Sequence, residues 1–211
     1  MTLFEGSLLV ANAPLKWHPR LARMASTASP LLAADGGANH LARIGLRPEK
    51  VIGDLDSIST SARAWLGEPS MLHLPDQSRT DLDKAVAYAF DEMGVERLTV
   101  LAALGGRTDH DASNLGLLAR LAMGERLVFE DVGQRVLALI GEAALLAAPG
   151  EAWSFWTFDP AVRVSIDGVR WQVRDADLSA GTTPSISNEA TGEEIRIQAT
   201  GGAVVVARHY R

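Results

Sequence analysis

Two textures divide the chain, and their order constrains the fold more than any single motif. Up to about Gln134, short apolar runs alternate with helix-patterned stretches. Strands are predicted at Ser7–Ala11, Leu31–Ala34, Val51–Ile52, Met71–Leu74, Leu98–Ala102 and Leu127–Glu130. Helices are predicted between them at Trp17–Ser26, Ala38–Ile44, Thr60–Leu66, Asp81–Met93 and Ala112–Met123. The fourth is the clearest: Leu82, Ala85, Val86, Ala89, Phe90 and Met93 form an i, i+3, i+4 stripe that Gly94 ends. Strands alternating with helices imply βαβ units and a mainly parallel sheet. Beyond Gln134 no helical pattern remains. Val136–Ile140 and Ala143–Ala147 read as two strands. Val162, Val164 and Ile166 alternate with polar residues, and Asp167-Gly168 before VRWQV signals a hairpin. EEIRIQAT, Gly201-Gly202 and AVVVAR read as a second hairpin. The expectation is an α/β protein: an N-terminal, mainly parallel sheet domain over residues 1–140, then an antiparallel β-sandwich over 141–211. The boundary falls near 133–150, and Trp153 and Trp156 are placed in the sandwich core.

Composition narrows the setting. The formal charge is −6 and no Lys/Arg cluster stands out, which argues against nucleic acid as the main partner. Cysteine is absent, so disulfides and thiolate metal sites are excluded, in keeping with a reducing compartment. The N-terminal stretch lacks the basic and apolar regions of a signal peptide, and no run approaches the ~18 apolar residues of a membrane span. A cytoplasmic protein without a membrane partner is expected.

Four segments carry candidate chemistry. In Ala34-Asp35-Gly36-Gly37-Ala38-Asn39 a strand ends, two glycines follow and a helix starts. Such glycines let backbone N–H groups approach an anion; a tight turn capped by Asp35 is the plainer reading. In VIGDLDSIS, Asp54 and Asp56 sit at a strand's carboxyl end, where open α/β sheets bind ligands. Two hard carboxylates there suit Mg²⁺; a solvated loop is the alternative. In DQSRTDLDKA, Thr80 is a natural N-cap with Asp83 three residues on. That capping leaves Asp81 and Lys84 less explained, and Lys84 can reach a phosphate or pair with Asp81. In GGRTDHDASN, Arg107 can fork onto phosphate oxygens, while Thr108 with Asp111 is again cap-like. His110 read alone is a helix-start residue.

Each segment is modest alone. In a parallel sheet, however, Asp35, Asp54, Asp56, Asp81 and Asp109 fall at or just after strand ends that share one edge. Five crowded carboxylates without compensation are costly. Mg²⁺ with a polyphosphate makes the arrangement favourable, because the metal cancels charge on both sides.

The motifs ADGGAN, GDLDS, D-x₃-TD-x₂-KA and GGRTDH-x₃-N occur in that order, followed by GVRWQV and SISNE. This series resembles the thiamine pyrophosphokinase family over roughly residues 30–205. One departure is Gln77-Ser78, where relatives commonly carry a further charged residue. The resemblance implies an α/β nucleotide-binding domain followed by a β-sandwich, working as a homodimer. It implies transfer of the pyrophosphoryl group of ATP to the hydroxyl of thiamine, giving thiamine diphosphate and AMP. On this reading Asp54, Asp56 and Asp81 hold Mg²⁺. Asp109 is a candidate base or second metal group, and Lys84 and Arg107 neutralise phosphate oxygens. Gly36, Gly37 and the helix start at His110 supply N–H donors, with Asp35 and Thr80 shaping the nucleotide site and Asn114 orienting the nucleotide. The resemblance also assigns Trp171, with Ser187 and Asn188 nearby, to the thiazolium ring, offered to the partner subunit's active site. Periodicity alone makes Trp171 a core residue and Asn188 a turn residue. Two rivals remain. DLDSI resembles the nucleophile motif of haloacid dehalogenase-like phosphohydrolases, although here it follows two other strands and no Asp-Asp pair comes later. A non-catalytic nucleotide sensor is the other.

Overall fold

The structure, a computed structural model, describes Phe4, residues 6–182 and residues 185–210. The chain forms two compact units: Met1–Asn114 with Phe129–Val132, and Leu115–Val128 with Gly133–Arg211.

In the first unit, β1 (Ser7–Val10), β2 (Leu31–Ala34), β3 (Lys50–Gly53), β4 (Met71–His73) and β5 (Leu98–Leu101) lie in the order β5-β1-β2-β3-β4, each neighbouring pair parallel. The connecting helices are α1 (Pro19–Thr27), α2 (Gly37–Arg43), α3 (Thr60–Leu66) and α4 (Asp81–Ala87); α5 spans Thr108–Leu121. A core joins Leu8, Val10, Leu31, Ala33 and Val51 to Leu21 of α1, Leu41 of α2 and Leu66 of α3. The alternate strand residues Leu9, Leu32 and Ile52 are equally buried, so the sheet is covered on both faces. This explains why β1, β2 and β3 read as short continuous apolar runs.

Local signals set the helix ends. Ser59 and Thr80 cap α3 and α4, their hydroxyls accepting from Ala62 N and Asp83 N. Two helices depart from expectation. The stripe predicted as one helix over Asp81–Met93 is α-helical only to Ala87, then turns into a π-helix over Tyr88–Glu92. Its burial follows the stripe: Leu82, Ala85, Val86 and Ala89 are inside. Helix α5 begins at Thr108, four residues before the expected Ala112. The Asp111 carboxylate folds back to accept from Gly105 N and Gly106 N, at 3.1 and 3.3 Å. Asp109 and Asp111 also place negative charge on the positive end of the helix.

The second unit is antiparallel. Its strands are β7 (Gln134–Leu146), β8 (Ala152–Trp156), β9 (Arg163–Asp167), β10 (Val173–Ala176), β11 (Ser185–Glu189) and β12 (Glu194–His209); β6 (Leu127–Glu130) falls at the division between the units. The 16-residue β12 pairs with β7 over Glu194–Ala199 and Val204–His209, with β9 on its first half and β8 on its second. Trp153, Phe155, Val164, Ile166, Ile195, Ile197, Val204 and Val206 belong to one core.

Three strand expectations change. The two runs either side of Gly141 are one strand, bent at that glycine (φ 78°). Gly201-Gly202 is not a hairpin turn but a register shift within β12, between Ala199 and Val204. These glycines are needed for close approach: a Cβ on Gly202 would lie 2.6 Å from Val162 Cγ2. Asp167-Gly168 does not lead straight into a strand either. Only Val173 onward pairs with β9, because Val169 bridges Ala190 instead and draws Trp171 out of the ladder. Trp171 is therefore 57% exposed, against the core position that periodicity suggests. Trp153 is core as expected, and Trp156 is partly buried.

Candidate active site

The carboxyl ends of the parallel strands open on a cleft of about 940 Å³. Asp35, Asp54, Asp81, Lys84 and Arg107 are among its lining residues, at the edge where open α/β sheets bind ligands. Asp35 follows β2, Asp54 follows β3 and Asp81 opens α4. One carboxylate oxygen from each comes within 4.8 Å of the other two. Gly53 makes the crowding possible. Its φ is 150°, and a Cβ there would lie 3.0 Å from both Asp35 Cβ and Asp81 Cγ.

The electrostatics of the three differ. Asp35 is buried, which pushes its carboxyl up, partly offset by hydrogen bonds from Ser57. Its Oδ1 accepts from Ser57 N at 3.3 Å. Asp54 is held below the usual carboxylate range, first by the Gln77 amide, which donates to Oδ2 at 3.1 Å. Asp81 Oδ1 accepts from Asp54 N at 3.2 Å and from Lys84 Nζ at 2.9 Å. Lys84 is 2% exposed and also donates to the Leu74 carbonyl at 2.9 Å. Lys84 thus pairs with Asp81, one of the two expectations for it.

The group of three brings in Asp35, where the sequence pointed to Asp54, Asp56 and Asp81. Asp56 lines the same cleft but is exposed and outside the group. Leu55 at φ 65° turns the chain so that Asp56 N donates to Asp54 Oδ1, and the Asp56 carboxylate accepts from Ser57 Oγ. Three hard oxygen donors in this spacing can hold a metal ion.

Gly36 and Gly37 have a packing reason of their own. A Cβ on Gly37 would meet the Val10 carbonyl oxygen at 1.9 Å, and one on Gly36 the Asn12 side chain at 2.3 Å. At the far wall, Arg107 is exposed and forks onto Asp109, with Nε–Oδ1 at 3.1 Å and Nη2–Oδ2 at 2.5 Å. That fork lowers the Asp109 carboxyl to about 2. Arg107 and His110 line the cleft, whereas Asp109 is not among its lining residues. Asn114 lines it too; its amide donates to the Ala103 carbonyl at 2.7 Å and fixes α5 to the end of β5. Thr80 lines the cleft and caps α4.

Sequence reasoning missed three supports. Gln77 steadies Asp54. Asn39 clamps the loop after Asp56 from both sides, donating to Ser57 O and accepting from Ser59 N at 2.9 Å each. Asp111 ties down Gly105 and Gly106. Asn39 and Asp111 stood inside quoted motifs, yet amide and carboxylate bonds to distant backbone leave no periodic trace.

In the second unit, Trp171 is exposed with the Arg170 guanidinium 5.0 Å from its ring centroid. Ser187 is exposed and Asn188 is 1% exposed. Asn188 accepts from Trp171 N at 3.1 Å and donates to Trp171 O at 2.7 Å.

Fold and cleft together define an α/β unit with a charged cleft at the strand carboxyl ends, joined to an antiparallel β unit. The family model "Thiamin pyrophosphokinase, catalytic domain" matches residues 21–129, and "Thiamin pyrophosphokinase, vitamin B1 binding domain" matches residues 147–204. The chain belongs to the thiamin pyrophosphokinase family. Thiamin pyrophosphokinase 1 of Caenorhabditis elegans is 27% identical over 187 residues, covering 82% of this chain and 76% of that protein. Thiamine pyrophosphokinase 1 of Oryza sativa is 26% identical over 223 residues, covering 88% and 78%. The crystal structure of thiamine pyrophosphokinase from Bacillus subtilis superposes with a TM-score of 0.80 at 22% identity, covering 96% of this chain and 97% of that one. That last likeness is one of fold.

Proposed function

We propose that the chain transfers the pyrophosphoryl group of ATP to the hydroxyl of thiamine, giving thiamine diphosphate and AMP. The observation that carries this reading is the group of Asp35, Asp54 and Asp81 carboxylates on the cleft, all three within the stretch matched as the family's catalytic domain. In this reading residues 1–140 hold ATP and residues 141–211 take thiamine.

The three carboxylates offer the hard oxygen donors that suit Mg²⁺, which completes its shell with substrate phosphates and water. Asp35, Asp54 and Asp81 would hold it, with Asp56 beside them on the cleft. Bound there, Mg²⁺ supplies positive charge against the polyphosphate. The chain's own groups do the rest. Lys84 fixes the orientation of the Asp81 carboxylate and adds buried positive charge. Arg107 presents a fork to phosphate oxygens in place of Asp109. His110, at the start of α5, is on the cleft wall and would offer its backbone N–H to the phosphates, whereas Gly36 and Gly37, expected from the sequence as further N–H donors, are not among the lining residues; Asn114 and Thr80 hold the walls. Asp109 is a weak base while it is paired with Arg107. Engagement of Arg107 by phosphate would free the Asp109 carboxylate, which is outside the cleft lining while paired, to turn inward and accept the hydroxyl proton as that oxygen attacks the β-phosphorus and AMP leaves. Such transfers depend on in-line positioning and charge stabilisation more than on covalent help.

Trp171 offers an aromatic face to the thiazolium cation, a contact worth ~0.5–2 kcal/mol. The working form is read as a cytoplasmic homodimer, the β unit of one copy meeting the cleft of the other. No helix among the described residues is long and apolar enough to cross a membrane.

The test is a product assay with purified protein, ATP, Mg²⁺ and thiamine, resolved by chromatography. AMP and thiamine diphosphate in equal amounts, both absent in EDTA, are expected. ADP and phosphate with thiamine untouched would move the chain to the phosphohydrolases. ATP binding without any product would make it a sensor.

A further inference from the structure

Strand β11, which carries Ser187 and Asn188, does not follow a plain ladder. It pairs with β8 at Ser185↔Phe155 and at Asn188↔Trp153, and the register shifts between them. Ile186 and Ser187 therefore stand opposite the single residue Ser154, which makes a β-bulge. Ser187 adopts φ 55°, a left-handed conformation uncommon for a residue with a side chain.

Ser154 itself holds this bulge. It is 4% exposed, and its Oγ accepts from Ser187 N at 3.1 Å. The same oxygen lies 3.0 Å from Nε2 of His209, on the neighbouring strand β12. The hydroxyl donates to His209 or accepts from it according to the ring tautomer. Either way, a lone pair remains for Ser187 N–H. One buried hydroxyl thus links β12, β8 and β11.

The bulge sets the phase of everything after it, because a one-residue slip turns side chains to the opposite face. Ser187 is left exposed while Asn188 turns inward. The Asn188 amide is then fully engaged. Its Oδ1 accepts from Trp171 N and Glu189 N, and its Nδ2 donates to Trp171 O and Ser185 Oγ. Both backbone groups of Trp171 are held this way, and its ring stays exposed.

We infer that Ser154 and His209 are positioning residues for thiamine: they hold the β11 bulge through which Asn188 presents Trp171 and Ser187. The inference rests on the proposed thiamine site. Asn188 belongs to this support rather than to the ligand contacts, since its polar atoms are already bonded to the chain.

The experiment measures KM for thiamine and for ATP, together with the urea midpoint, in Ser154→Ala, His209→Ala, His209→Gln and Trp171→Ala. Ser154→Ala should raise KM for thiamine about tenfold, the scale of one lost buried hydrogen bond, and leave KM for ATP within about twofold. His209→Ala should act in the same direction. His209→Gln should recover most of the effect, because its terminal amide can meet the hydroxyl. If Trp171→Ala raises KM for thiamine but Ser154→Ala lowers only the urea midpoint, this inference is overturned and the site stands. If Trp171→Ala leaves KM for thiamine unchanged, the site reading fails and takes the inference with it. Should Ser154→Ala not fold, the two His209 variants decide by the same criterion.

Discussion

Replacing Lys84 by Met probes the charge balance on which the cleft depends. The Lys84 ammonium lies 2.9 Å from Asp81 Oδ1 and 2.9 Å from the Leu74 carbonyl, and the residue is 2% exposed. Two unit charges at that distance attract by about 6 kcal/mol at an effective dielectric of about 20. Desolvating the ammonium costs several kcal/mol, so the intact pair adds little net stability. Removing one partner is different. Asp81 is then left beside Asp35 and Asp54 without a cation, which costs about 3–5 kcal/mol when the pair is fully buried. The Asp81 side chain keeps 27% exposure, so solvent screening lowers the expectation to about 2–3 kcal/mol. Methionine preserves length and apolar volume, so little of that loss comes from a cavity. Urea unfolding at pH 7 in EDTA measures it. Added Mg²⁺ should narrow the gap, because without the ammonium the carboxylates bind the cation more tightly and a tighter ligand stabilises more. A loss below about 0.5 kcal/mol in EDTA, the size of an ordinary surface substitution, would refute the reasoning.

Three further outcomes are expected. Asp54→Asn should abolish turnover while circular dichroism and the urea midpoint stay close to the parent's; an active variant would remove Asp54 from the metal set. Gly37→Ala should lose at least about 2 kcal/mol, since its Cβ would lie 1.9 Å from a backbone oxygen. Gly116→Ala, inside α5 with nothing within 4 Å of its added Cβ, should gain about 0.5–1 kcal/mol; equal effects on urea unfolding would contradict the packing argument. Asp109, lowered to about 2 by Arg107, contributes stability that is present above its ordinary value of 3.8 and lost as pH falls through about 2. NMR titration should find it there, and Arg107→Ala should return it toward 3.8; no change in that variant would mean the fork is not formed in solution.

Much of the fold was legible because burial leaves a periodic trace. Apolar runs at Leu31–Ala34 and Leu127–Glu130 became strands with those bounds, and Thr60–Leu66 became a helix with its Ser59 cap. The hairpin at Gly201-Gly202 misled because two glycines look alike whether they turn a chain or let a neighbour approach. Only the proximity of Ala161 and Val162 separates the two cases. Trp171 misled for a related reason: alternation predicts a face only while a segment stays in its ladder, and Val169 leaves it for Ala190.

The chemistry divides in the same way. The sequence by itself determined which residue types gather at the strand ends, because a parallel sheet brings every such end to one edge. It thereby brought Asp35, Asp54, Asp81 and Lys84 to one cleft. Which oxygens meet was decided only by tertiary structure. Asp35 joins Asp54 and Asp81 because Gly53 leaves space between them, and Asp56 stands apart because Leu55 turns the chain. Gln77, Asn39 and Ser154 act through one or two hydrogen bonds each, to residues 18 to 55 positions away. Such bonds depend on where the backbone goes, and no local pattern in the sequence records that.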